Sequence, residues 1–268
     1  MEKNLCNKLT VKVKLYQSAI IYSSNSIITI RDIKKNDSVI INQGEMFFLE
    51  RNLNMKISVR KTTNASPPYE VISIDNNKLG IIVKMLEPFC RMSAINKQRL
   101  ISDRVLRLLD DAQCKNKNIF HYLKNNNDEK RNILEFAYLL SRAVCLEKLY
   151  TSLCVSASRT FTDKIRETIE RDLSRKWRLS AIADELNISE ITIRKKLEIE
   201  NINFNQVLLD VRMQASAKLI LNGNHINKIS SALGMSSTSY FIRIFSNYYG
   251  VTPKQFYLYH KTDKTSHK

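Results

Sequence analysis

The chain has 268 residues, 43 Lys and Arg against 26 Asp and Glu, a formal net charge of +17, and 43% hydrophobic residues. That composition is globular, allows one large or two ordinary domains, and excludes collagen-like, mucin-like and wholly disordered chains. The longest apolar run, Phe136 to Leu140, is five residues against the roughly 20 that a membrane helix requires, and the N-terminus lacks the form of a secretory leader; a cytoplasmic location with no membrane partner is expected.

From Thr10 to about Leu86 the apolar period is two: Val11, Val13 and Leu15 alternate with lysines, and Met55, Ile57 and Val59 alternate with Lys56, Ser58 and Arg60. Between them AIIY and SIITI flank Ser23-Ser24-Asn25, and SVII and MFFL flank Asn42-Gln43-Gly44, both read as hairpin turns. EVISI and GIIVK read as further strands, so the expectation is a small β-barrel or sandwich. After Pro88 the period becomes 3.6. Ile101, Val105, Leu108 and Leu109 are placed on one helix, and residues 128–150 on another, with Asn125 to Asn127 as the break. The second helix carries two apolar stripes, Ile133/Ala137/Leu140/Val144 and Phe136/Leu139/Ala143/Leu146, wider than one packing face requires. Thr151 to Thr160, rich in Ser and Ala, reads as the linker, giving two domains, 1–158 and 159–268.

Downstream everything reads as helix. Ile165, Ile169 and Leu173 are spaced i, i+4, Asn203 caps a long helix from Phe204 to Leu221, and Thr252-Pro253 opens a last one. Within 179–200, a short helix with Ile182, Ala183 and Leu186 inward is followed by a turn at Asn187. Ser189 then caps a second helix with Ile193 and Leu197 inward, which is a helix-turn-helix. The pattern recurs 47 residues later, within 226–249: Ile229 and Leu233, a turn at Gly234, entry through Ser236 and Ser237, then Phe241 and Phe245. The helix between the units is about 27 Å long at 1.5 Å per residue. Two such units on one face, about 34 Å apart, can enter successive major-groove turns. With the positive charge this points to duplex DNA.

Other chemistry finds no residues. The four histidines (His121, His225, His260, His267) avoid the strand region, the five cysteines (Cys6, Cys90, Cys114, Cys145, Cys154) have no CxxC spacing, and the glycines form no phosphate cradle. Asp110 and Asp111 are adjacent on an expected helix and point apart, which suits solvation rather than paired acid and base work. No catalytic residue, metal site or cofactor is expected, and the chain is read as a non-enzyme.

ISSALGMSSTSYFIRIFSNYYGVTPKQF, together with WRLSAIADELNISEITIRKKL and INFNQVLLDVRMQASAKLI, resembles the DNA-binding domain of the AraC/XylS family of bacterial transcription regulators. Within that family DLSRKW, SEITIRK and NFNQ are most similar to the enterobacterial fimbrial and virulence activators. The chain departs from the family pattern at Ser230, Met235, Ser246 and Tyr257. The resemblance implies an α+β fold: a small N-terminal β-barrel (cupin-like) with helices, and an all-α domain of two helix-turn-helix units joined by a long helix. It implies that Ile191, Arg194 and Lys195 face bases, Arg194 and Lys195 toward guanine O6 and N7 and Ile191 toward a thymine methyl. Thr238, Ser239, Ile242 and Arg243 are the matching outward positions of the second unit. Arg175, Lys176, Lys196 and Lys218 are expected to meet phosphates. It further implies a transcriptional activator of virulence or fimbrial genes with promoter DNA and RNA polymerase as partners. A small effector, a fatty acid or other small carboxylate, is implied without assigned residues, as is a homodimer through the helix at 128–150. The alternatives are a protein that is mainly a repressor, or a basic adaptor binding nucleic acid or membrane surface through charge alone.

Overall fold

The computed structural model describes residues 8–33, 37–63, 67–90, 99–109, 115–126 and 128–260; Cys6, Asp110, Asp111, Cys114 and His267 lie outside them. The chain divides into two compact units, one through Ser158 and one beginning at Arg159.

The N-terminal unit holds two antiparallel four-stranded sheets. One runs β1 (Lys8–Leu15), β6 (Leu53–Lys61), β3 (Ser26–Asp32), β4 (Ser38–Ile41), and the other β7 (Glu70–Ile74), β2 (Ser18–Tyr22), β5 (Met46–Leu49), β8 (Val105–Leu108). In β6, buried Leu53, Met55 and Val59 alternate with exposed Asn54, Lys56 and Arg60, and Val11 pairs with Ile57 across β1. Strands β2 and β5 are buried at every position, the pattern of a sheet covered on both faces. One of those faces is helical: Ile20, Tyr22, Met46 and Phe48 share a core with Leu79 and Ile82 of α1 (Asn76–Leu86), Phe120 of α2 (Lys115–Asn125), Phe136 and Leu140 of α3 (Glu129–Ser141), and Leu149 and Leu153 of α4 (Leu146–Ala157). The cupin-like arrangement thus takes the form of two sheets, with no strand pairing between them among the described residues.

Several expectations are corrected. GIIVK is helix: Asp75 caps α1 by accepting from the Lys78 amide, and Leu79, Ile82 and Leu86 form its buried stripe. The turns at Ser23–Asn25 and Asn42–Gly44 are not hairpins, because β2 and β3, and likewise β4 and β5, belong to different sheets. The two turns bind each other instead, the Ser23 amide donating to Glu45 O and the Gly44 amide to Ser23 O. Residues 101–109 form a short 3-10 turn (Ile101–Asp103) and β8, since pairing with β5 overrides a spacing that suits either element. The single helix at 128–150 is broken, because Arg142 to Val144 turn aside to extend the ladder: Ala143 bridges Leu108, and the Val144 amide donates to Arg107 O. The long linker is also absent. Thr151 to Ala157 belong to α4, with Thr151, Ser152 and Leu153 buried.

Seven helices make the C-terminal unit among its described residues: α5 (Phe161–Glu170), α6 (Leu179–Leu186), α7 (Glu190–Ile199), α8 (Phe204–Leu221), α9 (Ile226–Ala232), α10 (Thr238–Tyr249) and α11 (Pro253–His260). Leu173 falls beyond the end of α5. No described helix is long and apolar enough to cross a membrane.

Candidate nucleic-acid interface

Helices α6 and α7 make the first helix-turn-helix. Asn187 ends α6 in the left-handed region at φ 51°, a conformation Asn tolerates better than most side chains. Ser189 then accepts from the Thr192 amide and opens α7. Ile193 and Leu197 are buried with Ile182, Trp177, Val207 and Val211, which leaves the other side of α7 to solvent. There Ile191 is 66% exposed and Arg194, Lys195 and Lys196 are exposed. A two-thirds exposed isoleucine one turn before Arg194 and Lys195 has no role in the core of the unit and suits contact with an apolar group such as a thymine methyl. Arg194 meets Glu190 at 3.3 Å, both partners well exposed, a pair too weak to keep the guanidinium from another acceptor. Lys196 lies over the Phe161 ring at 5.0 Å.

The recognition helix is anchored at its far end. Glu200, which closes α7, accepts from the amides of Phe161 at 2.6 Å and Thr162 at 2.9 Å. Thr160 and Asp163 form a capping box on the same turn. One carboxylate therefore satisfies two orphan donors of α5 and ties the end of α7 to the start of α5.

Helices α9 and α10 make the second helix-turn-helix. Ser237 accepts from the Tyr240 amide, and Phe241, Phe245, Tyr249 and Phe256 stack with centroids 4.6 to 5.8 Å apart. Ser239 and Arg243 are exposed, Ile242 and Thr238 half-buried. Arg243 lies over the Tyr240 ring at 5.4 Å. The Thr238 hydroxyl donates to Asn227 Oδ1 at 3.1 Å and lies 3.3 Å from Ser230 Oγ, so its hydrogen bonding joins α9 to α10. The turn itself is pressed against the loop between α5 and α6: at Gly234, φ +61°, a Cβ would collide with Ser174 O. Beside it Arg212 of α8 donates to Arg175 O at 3.0 Å, and burial pulls its guanidinium below its ordinary pKa.

Of the cations expected at phosphates, Lys176 and Lys218 are exposed. Arg175 is tied to Glu185 at 2.7 Å and lies over Trp177 at 4.3 Å. Asp172 braces this loop: hydrogen bonding from Ser174, then from the Arg175 amide, holds its carboxyl below the usual range. Sequence reasoning missed the roles of Glu200, Asn227 and Arg212, since each acts on a residue distant in sequence or on another element. Among the described residues, no group of three or more His, Cys, Asp or Glu could hold a metal ion.

Two capped recognition helices, joined by an 18-residue helix and carrying exposed cations, define a tandem helix-turn-helix DNA-binding regulator. The family model for a helix-turn-helix domain matches residues 182–257. The chain is 39% identical to the virulence regulon transcriptional activator VirF of Shigella flexneri over 257 residues, covering 95% of this chain and 97% of that protein. It is 38% identical to the DNA-binding dual transcriptional regulator Rns of Escherichia coli, covering 95% and 96%. Among solved structures it is similar to ToxT of Vibrio cholerae, with a TM-score of 0.67 at 18% identity, covering 95% and 97%; ToxT has also been solved with an unsaturated fatty acid bound. The chain belongs to the AraC/XylS family of bacterial transcription regulators.

Proposed function

We propose that the chain is a sequence-specific transcriptional activator of virulence or fimbrial genes, acting in the cytoplasm without catalytic activity of its own. It reads promoter DNA with Ile191, Arg194 and Lys195 in one groove and Ser239, Ile242 and Arg243 in the next, Thr238 framing the second helix. The observation that carries this reading is the pair of serine-capped helices whose inner faces are closed by Ile193/Leu197 and Phe241/Phe245 and whose outer faces keep exposed cations. Names of relatives at 36% to 39% identity, VirF, CfaD and AggR among them, support activation. That Rns is named a dual regulator supports a second reading, repression at some promoters.

RNA polymerase is the partner through which activation proceeds. The fatty acid of ToxT supports a small carboxylate as effector, with no residue assigned to it. With the helix at 128–150 broken, a homodimer is proposed through α3, where Leu134 and Tyr138 are exposed one turn apart; sedimentation of a Leu134→Glu variant checks it, a lighter species being expected.

The deciding experiment titrates the protein against its promoter fragment and a scrambled fragment of equal composition at several salt concentrations. Specific binding is expected to exceed nonspecific binding at every salt, each losing affinity as salt rises. Equal affinity for both fragments identifies charge-only binding and removes the reading. A reporter gene then separates activation from repression.

A further inference from the structure

Reading two grooves from one chain requires α10 to hold one angle on α8, and the seam between them is unevenly filled. Tyr240 and Ile244 of α10 border an open cleft of about 690 Å3 that Leu208, Arg212 and Met235 also line. On that side Tyr240 and Ile244 lack apolar cover, so this end of α10 is held by its turn at Gly234 and by Thr238 rather than by packing into the cleft. Two turns further along, Tyr248 donates to Asp210 Oδ1 at 2.9 Å, and the fully buried carboxylate also accepts from Gln206 Nε2 at 2.7 Å. Arg166 of α5 joins the group by donating to Gln214 Oε1 at 2.6 Å, one turn along α8 from Asp210. Next to it the Tyr249 hydroxyl donates to Met213 O at 3.0 Å. Burial, then the Asp210 charge, push the Tyr248 phenol far above its ordinary pKa, so it remains a donor throughout the working range. A buried, charge-assisted bond of this kind is directional, and its contribution lies in geometry more than in net stability.

We propose that the Asp210–Tyr248 hydrogen bond sets the separation and rotation of the two recognition helices, making both residues positioning residues for the spacing of the half-sites the protein accepts. The inference rests on the two-groove reading above. One base pair inserted between half-sites moves them by about 3.4 Å and turns them by about 35°, a change that a locked α10 cannot follow and a released one follows in part.

The test uses the full chain on its footprinted site and on the same site with one base pair inserted or removed between the half-sites. Wild type is expected to bind the altered sites at least about tenfold more weakly, the order of one mismatched base pair. Tyr248→Phe is expected to shrink that penalty by about fivefold, the scale of one lost hydrogen bond. Asp210→Asn, a weaker acceptor of the same shape, is expected to shrink it less and is the second variant where loss of the hydroxyl impairs folding, which a melting curve reports. A purely structural role would lower affinity equally at every spacing and leave the penalty unchanged; that result in folded variants overturns the proposal. A wild type indifferent to spacing overturns the two-groove reading itself.

Discussion

The first helix-turn-helix closes around aliphatic side chains and Trp177, turns through Asn187, and presents Ile191, Arg194 and Lys195 from a helix whose end is anchored to α5 by Glu200. The second closes around a stack of Phe and Tyr, turns through a glycine pressed against Ser174, and presents a single cation, Arg243, from a helix tied to α8 by consecutive tyrosines. One plan is thus stiffened in two ways. The first unit is positioned by a cap at its end, and the second by bonds along its length and a turn with no room for a side chain. The first also carries more cations, three within 179–200 against two within 226–249, but it sets them among five acidic residues where the second has none.

The sharpest way to break that comparison is at the second turn. Gly234→Ala adds a Cβ at a positive φ and against a backbone oxygen, and is expected to cost about 2–4 kcal/mol of stability in chemical denaturation; a loss below 1 kcal/mol would mean the turn is not wedged as described. Arg243→Ala tests whether one cation suffices for the second unit. It is expected to weaken the true site by about 1–3 kcal/mol while sparing scrambled DNA, and equal losses on both would make Arg243 a phosphate contact. Glu200→Ala tests the end anchor of the first unit, with an expected stability loss of about 0.5–2 kcal/mol, as for other helix caps.

The smallest effect concerns pH at the loop joining α5 to α6. The Asp172 carboxyl titrates below its ordinary value of about 3.9 because Ser174 and the Arg175 amide bind its charged form. Its bracing is therefore complete above the unfolded pKa and is lost only as pH falls through the lower folded one. Ser174→Ala is expected to move the Asp172 midpoint upward in a carboxyl NMR titration, and an unmoved midpoint would assign the bracing to the backbone amide.

Much of the C-terminal unit was legible because its signals are local. Ser189, Asn203 and Ser237 each cap the helix they precede, and the inward pairs Ile193/Leu197 and Phe241/Phe245 follow from spacing alone. The N-terminal unit resisted because its elements are decided at a distance. Val105 to Leu108 becomes strand only because β5 has an edge to offer, the break at Arg142 exists only because Ala143 reaches Leu108, and serine, asparagine and glycine mark a crossover between sheets as readily as a hairpin. At the interface, spacing anticipated the exposure of Ile191, Arg194, Lys195, Ser239 and Arg243 but not the half-burial of Thr238 and Ile242, and it missed what steadies them: Asn227 on Thr238, Glu200 on α5, and Arg212 beneath the second turn are tertiary contacts without a sequence period.

The Glu200 cap ties two helices into one cooperative event. The first-turn amides of Phe161 and Thr162 have their acceptor on a helix some forty residues downstream, so their protection from solvent exchange depends on α7 being in place. Deuterium uptake at those two amides would therefore report on fraying of a recognition helix they do not belong to, and its slowing on addition of DNA would show the rigidification of α7 as it docks.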